Sequence, residues 1–125
     1  MLNLYDPKKT SIKHLNTKNF KFVDDNTYLN LGKNTPKNAF IIIYAPWCGH
    51  CKSQEELWMS IHRQFQLTYP VYVVNGDNPK NFKLMDQLNV EYFPSVFRLS
   101  DEHKLERYTY EINYESIQMY IWSSK

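Results

Sequence analysis

Apolar residues along this chain gather into runs and stripes whose period changes from segment to segment. Residues 39–44 (AFIIIY) and 71–74 (VYVV) are unbroken and rich in β-branched side chains. Such runs suit strands buried on both faces, as in a parallel sheet. Pro46 closes the first run. From Cys51 onward Leu57, Ile61 and Phe65, with Trp58 beside them, form a stripe at a spacing of four that predicts a helix. After the turn 75–78 (NGDN), Pro79 suits the first turn of a second helix running to about Leu88. Residues 95–99 and 105–110 read as strands joined by the polar hairpin loop 100–104 (SDEHK). Ile117, Tyr120 and Ile121 give a C-terminal helix an apolar face. Ahead of the first long run, 12–15 predict a short strand and Asn16 or Thr17 the start of a helix, while 32–38, with Pro36 inside, is a loop.

The order is strand, helix, strand, helix, strand, helix, hairpin, helix. It implies an α/β chain whose mixed central sheet carries helices on both faces. No repeat, linker or low-complexity tract divides the 125 residues, so a single domain over 1–125 is expected. Charge adds little, because a net +2 is too mild to argue for a nucleic-acid or membrane partner. Seven Lys lie in residues 1–47 against Asp6, Asp24 and Asp25, which reads as a solvated basic surface. The longest unbroken apolar stretch, 39–46, is far short of the ~20 residues that span a bilayer. With no signal peptide and no retention signal in the closing Ser-Ser-Lys, the sequence predicts a cytoplasmic chain. Twelve Asn and ten Tyr point to an AT-rich genome, so the tyrosines Tyr108, Tyr110, Tyr114 and Tyr120 read as core or as an interaction face.

Cys48 and Cys51 are the only cysteines. A bond between residues so close closes a tiny ring and does little for folding entropy, so the pair is there for chemistry. It sits where a buried strand hands over to a helix, whose first N–H groups and dipole favour an anion. Cys48 is therefore expected to be the thiolate at the exposed tip, Cys51 the protected partner, and His50 a cation that tunes the pair toward oxidation. Metal and cofactor sites fit poorly. Zinc needs four ligands, and no second histidine follows His62 at 65–68; c-type haem needs His where Lys52 stands. No cofactor is expected. His14, His62 and His103 read as surface or partly packed residues.

The segment Ala45-Pro46-Trp47-Cys48-Gly49-His50-Cys51-Lys52 resembles the active-site segment of protein disulfide isomerase domains, members of the thioredoxin superfamily. Val90-Glu91-Tyr92-Phe93-Pro94-Ser95 is similar to the family's V-x-G-Y-P-T segment, and Ile12, Leu15 and Phe20 to its first strand and helix. The resemblance covers roughly 12–122 and implies a thioredoxin-like fold. It implies that Cys48 and Cys51 carry thiol–disulfide exchange, supported by Gly49 and His50. Pro94 would be a cis-proline opposite the cysteines, with Trp47, Phe93 and Ser95 bordering a substrate groove. A strand-start proline and a plain packing tryptophan are the alternatives for Pro94 and Trp47. The implied partners are protein thiols or disulfides and an external reductase or oxidase, acting on a monomer.

Departures from the family pattern matter as well. The buried acid that helps the second cysteine is replaced by Ile42, and the arginine ahead of the last helix by Ile112. Glu56 stands for a helix-kinking proline, and Tyr92 for a glycine. They motivate a rival reading, a thioredoxin-like binding module with vestigial redox activity. A third, a component packaged in a virion, rests on the composition joined to an oxidant-type motif without a secretory signal.

Overall fold

The computed structural model describes residues 3–124. In chain order the elements are β1 (Lys13–Leu15), β2 (Phe20–Val23), β3 (Asn26–Leu29), β4 (Phe40–Tyr44), α1 (Gly49–Phe65), β5 (Val71–Asn75), α2 (Phe82–Leu88), β6 (Ser95–Leu99), β7 (Leu105–Arg107) and α3 (Tyr114–Ser123). The main sheet runs β1-β5-β4-β6-β7. Its first three strands are parallel, while β6 and β7 join antiparallel. This is the mixed α/β sheet that the order of apolar runs predicts.

The central strand β4, paired with β5 on one side and β6 on the other, is apolar in both directions. Phe40, Ile42 and Tyr44 enter one core layer, Ile41 and Ile43 the other, and all five are buried. Trp58 and Ile61 of α1 and Ile117 and Ile121 of α3 cover the first layer. Leu84 and Met85 of α2, with Phe20 and Leu29, cover the second. The tyrosines serve the first layer: Tyr108 and Tyr120 meet at 5.1 Å between ring centroids and Tyr108 reaches Phe40 at 5.6 Å, while Tyr110 stays exposed.

One expected helix is absent. Asn16 does cap, accepting the Lys18 N–H and donating its own N–H to Asn19 Oδ1, but it opens only a single 3-10 turn, Thr17–Asn19. Beyond it the period is two. Phe20 pairs with Leu29 and Phe22 with Thr27, so β2 and β3 form a hairpin that puts those four side chains on one face. Asp24 turns the corner at φ +55°, a conformation aspartate tolerates. A start signal fixes where a helix can begin, not that an apolar stripe exists to sustain it.

Smaller shifts follow the same logic. The helix α1 begins at Gly49 rather than Cys51, and Cys51, Trp58, Met59, Ile61 and His62 are its buried residues; Leu57 and Phe65 flank them half-buried. The strand β7 ends at Arg107, although the Tyr108 N–H still reaches Val96 O at 2.9 Å. No helix among the described residues is long and apolar enough to cross a membrane.

Candidate active site

The C-terminal end of β4 delivers Cys48 to the start of α1. Open α/β sheets generally place their sites at this end of the strands. Cys48 is the N-cap, and its Sγ accepts the Cys51 N–H at 3.1 Å. The Cys48 thiol also donates to Phe93 O at 3.5 Å. Both cysteines are free thiols. Cys48 is more enclosed than its place at a helix start implies, 6% exposed against 1% for Cys51. Burial first, and the hydrogen bond with Cys48 second, push the Cys51 thiol up to about 12. Gly49 and His50 are exposed, and a Cβ on Gly49 would meet nothing within 4 Å.

Facing the pair is the loop from α2 into β6, in which the Phe93–Pro94 peptide bond is cis. Trp47 stands 64% exposed and meets the edge of Phe93 at 5.8 Å. Tyr92 is also exposed, with the Arg107 guanidinium 5.7 Å from its ring. Trp47 and Phe93 thus make an aromatic rim beside Cys48. Ser95 does not join it, contrary to expectation. Its side chain is buried and its hydroxyl donates to Tyr92 O at 2.7 Å, so it braces the loop from behind.

Several residues of the site escape a reading of the sequence. Gly76 donates its N–H to Tyr44 O at 2.8 Å, tying the end of β5 to that of β4. A Cβ there would press into Phe93 Cε1 and lie 2.9 Å from both Ile43 Cγ2 and Met85 Sδ. Tyr5, at φ +57°, is buried in the same core cluster as the cysteines, and its N–H donates to Glu55 Oε2 at 2.7 Å. Its ring meets Tyr44 edge-on at 5.6 Å. Tyr44 in turn reaches His14 Nδ1 at 3.3 Å. The alternation of β4 could have flagged Tyr44, which shares a face with Ile42. Nothing local marks Tyr5.

Ile42 is buried in the cluster that holds Cys51, and Ile112 packs half-buried against it, so both positions are plainly aliphatic. His62 lies elsewhere and is no surface residue. It accepts the Val71 N–H on Nδ1 at 3.0 Å and meets Ser11 Oγ at 2.9 Å through Nε2. Among the described residues no cluster of histidine, cysteine and carboxylate side chains could hold a metal ion. A cleft of about 780 Å3 between Lys37, Arg98 and Tyr120 lies at the opposite end of β4 and takes no part in the site.

The thioredoxin family model matches residues 13–123. A protein disulfide-isomerase of Medicago sativa is 30% identical over 101 residues, which is 81% of this chain and 20% of the relative. Protein disulfide-isomerase A4 of Mus musculus is 31% identical over 77 residues, 62% of this chain and 12% of the relative. The chain therefore spans a fifth or less of these relatives. Mitochondrial thioredoxin 3 from Saccharomyces cerevisiae, in its oxidised form, superposes with a TM-score of 0.65 at 18% identity, covering 92% of this chain and 97% of that one.

Proposed function

From the premise that this chain belongs to the thioredoxin family, as a domain of protein disulfide-isomerase type, we propose that Cys48 and Cys51 exchange disulfides with protein cysteines. The carrying observation is the Cys48 sulfur seated at the start of α1, accepting the Cys51 N–H beside an exposed aromatic rim. A backbone N–H aimed at sulfur stabilises it when it carries charge. In the reducing direction Cys48 Sγ bonds to one sulfur of a substrate disulfide and the other leaves as a thiolate. Cys51, once deprotonated, attacks Cys48 Sγ. The internal disulfide forms, the second substrate thiol departs, and two electrons have passed to the substrate. The oxidising direction is the reverse, and an external reductase or oxidase resets the pair. Trp47 and Phe93 supply apolar contact to the chain flanking the substrate cysteine, with Pro94 shaping the groove opposite.

Cys48→Ser should abolish insulin reduction, and Cys51→Ser should trap a mixed disulfide through Cys48, visible by mass spectrometry. The aliphatic Ile42 and Ile112 favour a second reading, a binding module whose exchange has decayed. A folded wild type that reduces insulin no faster than background selects that reading and ends the first.

A further inference from the structure

The tyrosines toward the C-terminus divide into a buried set and an exposed one. Tyr108 is buried against Phe40, whereas Tyr110 stays exposed, although its ring packs on those of Tyr108 and Tyr120, each at 5.6 Å between centroids. On α3, Ile117 and Ile121 are buried, while Met119 and Trp122 are, like Tyr110, half or more exposed. Residues three apart are neighbours on a helix surface, so Met119 and Trp122 stand side by side. Large apolar side chains gathered in water with polar groups around them mark a contact surface. It lies away from the cysteines: Tyr120 packs on Phe40, at the start of β4, and Cys48 follows the other end of that strand.

Tyr110, Glu111, Glu115, Met119 and Tyr120 line a cleft of about 730 Å3, and three serines complete it. Among the described residues no lysine, arginine or histidine lines it. Residues 108–124 carry two carboxylates and no cation, in a chain whose net charge is +2. Among the described residues neither Glu111 nor Glu115 forms an ion pair. Arg98, which shares the neighbouring cleft with Tyr120, is paired with Glu106 at 2.8 Å. Phenol rings with carboxylates beside them attract an ammonium or guanidinium group. The Met119 thioether and the Trp122 indole offer apolar contact next to them.

We propose that this cleft docks an amphipathic basic segment of a partner protein. Its lysine or arginine side chains meet Glu111, Glu115 and the Tyr110 ring, and its apolar side chains meet Met119 and Trp122. Charge complementarity selects this occupant. An acidic segment is repelled, and an uncharged one strips water from two carboxylates without giving them a partner. No residue of the exchange site lines the cleft, so docking there does not depend on that function.

The test titrates the full chain, isotope-labelled at its methionine methyls, with a synthetic amphipathic helix of lysine and leucine, followed by NMR. The Met119 methyl should shift and saturate, while those of Met59 and Met85, both buried, should stay in place. Glu111→Lys should weaken binding roughly tenfold, since it turns attraction into repulsion. Tyr110→Ala should weaken it several-fold by removing a ring face from the cation. Glu56→Lys makes the same change in net charge at an exposed position of α1 and should leave the affinity as it is. The same helix with glutamate in place of lysine should not bind. If Tyr110→Ala does not fold, Glu111→Lys against Glu56→Lys decides alone. A still Met119 methyl overturns the proposal, as do equal losses in the two lysine variants, which would make the attraction one of net charge alone. Binding of the glutamate helix overturns it too. Sedimentation of the chain without peptide should show a monomer; a dimer that Glu111→Lys dissolves puts a second copy in the cleft and overturns the partner.

Discussion

At the scale of single residues the site depends on a contact that carries no chemistry of its own. Gly76 leaves the space that Phe93 fills, and Phe93 in turn supports Trp47 and offers its carbonyl to Cys48. Gly76→Ala should therefore cost about 1–3 kcal/mol in urea unfolding, the usual penalty for overpacking, and should slow insulin reduction through the displaced rim. Gly49→Ala is the control. Its Cβ meets open space, so stability should hold within about 0.5 kcal/mol. Equal effects at the two glycines would mean that Phe93 swings aside freely. The motif around Cys48 is legible in sequence because its chemistry is local. Gly76 is not, because its requirement comes from a side chain brought over it by a different loop.

At the scale of elements, the segment after Asn16 shows where local signals fall short. Capping chemistry there is real, yet Phe20, Phe22, Thr27 and Leu29 alternate, and alternation across a tight turn buries a hairpin face where a helix would scatter those side chains. Leu29→Ala, at 2% exposure, should lose roughly 2–5 kcal/mol, while Val23→Ala on the open face should change stability by less than about 0.5 kcal/mol. Urea midpoints check both, and similar losses at the two positions would contradict a one-sided hairpin. The central strands needed no such arbitration. Their apolar runs admit only burial on both faces, so β4 and β5 could be placed from the sequence.

For the whole molecule, buried ionisable groups set the pH range of stability. Burial raises Cys51, Tyr5, Tyr44, Tyr72, Tyr108 and Tyr120. The unfolded chain therefore sheds these protons first, and stability falls as pH climbs past the ordinary thiol and phenol values of 9.0 and 10.0. Burial lowers His62, so the unfolded chain binds its proton first on the acid side and stability falls as pH drops below 6.5. Protonating Nδ1 would also sever its bond from the Val71 N–H. Urea midpoints should thus form a plateau between about pH 7 and 9 and decline on both sides; a plateau running on past pH 11 would refute the alkaline arm. The sequence by itself determined the layered α/β plan, the two central strands, and a cysteine pair at a strand-to-helix junction, since periodicity and close spacing along the chain carry that information. Only the tertiary structure decided that β2 and β3 replace a helix, that Ser95 braces the loop, and that Tyr5, His14 and Tyr44 meet one another. Those outcomes depend on surfaces assembled from distant segments, where packing and hydrogen bonding outweigh any local preference.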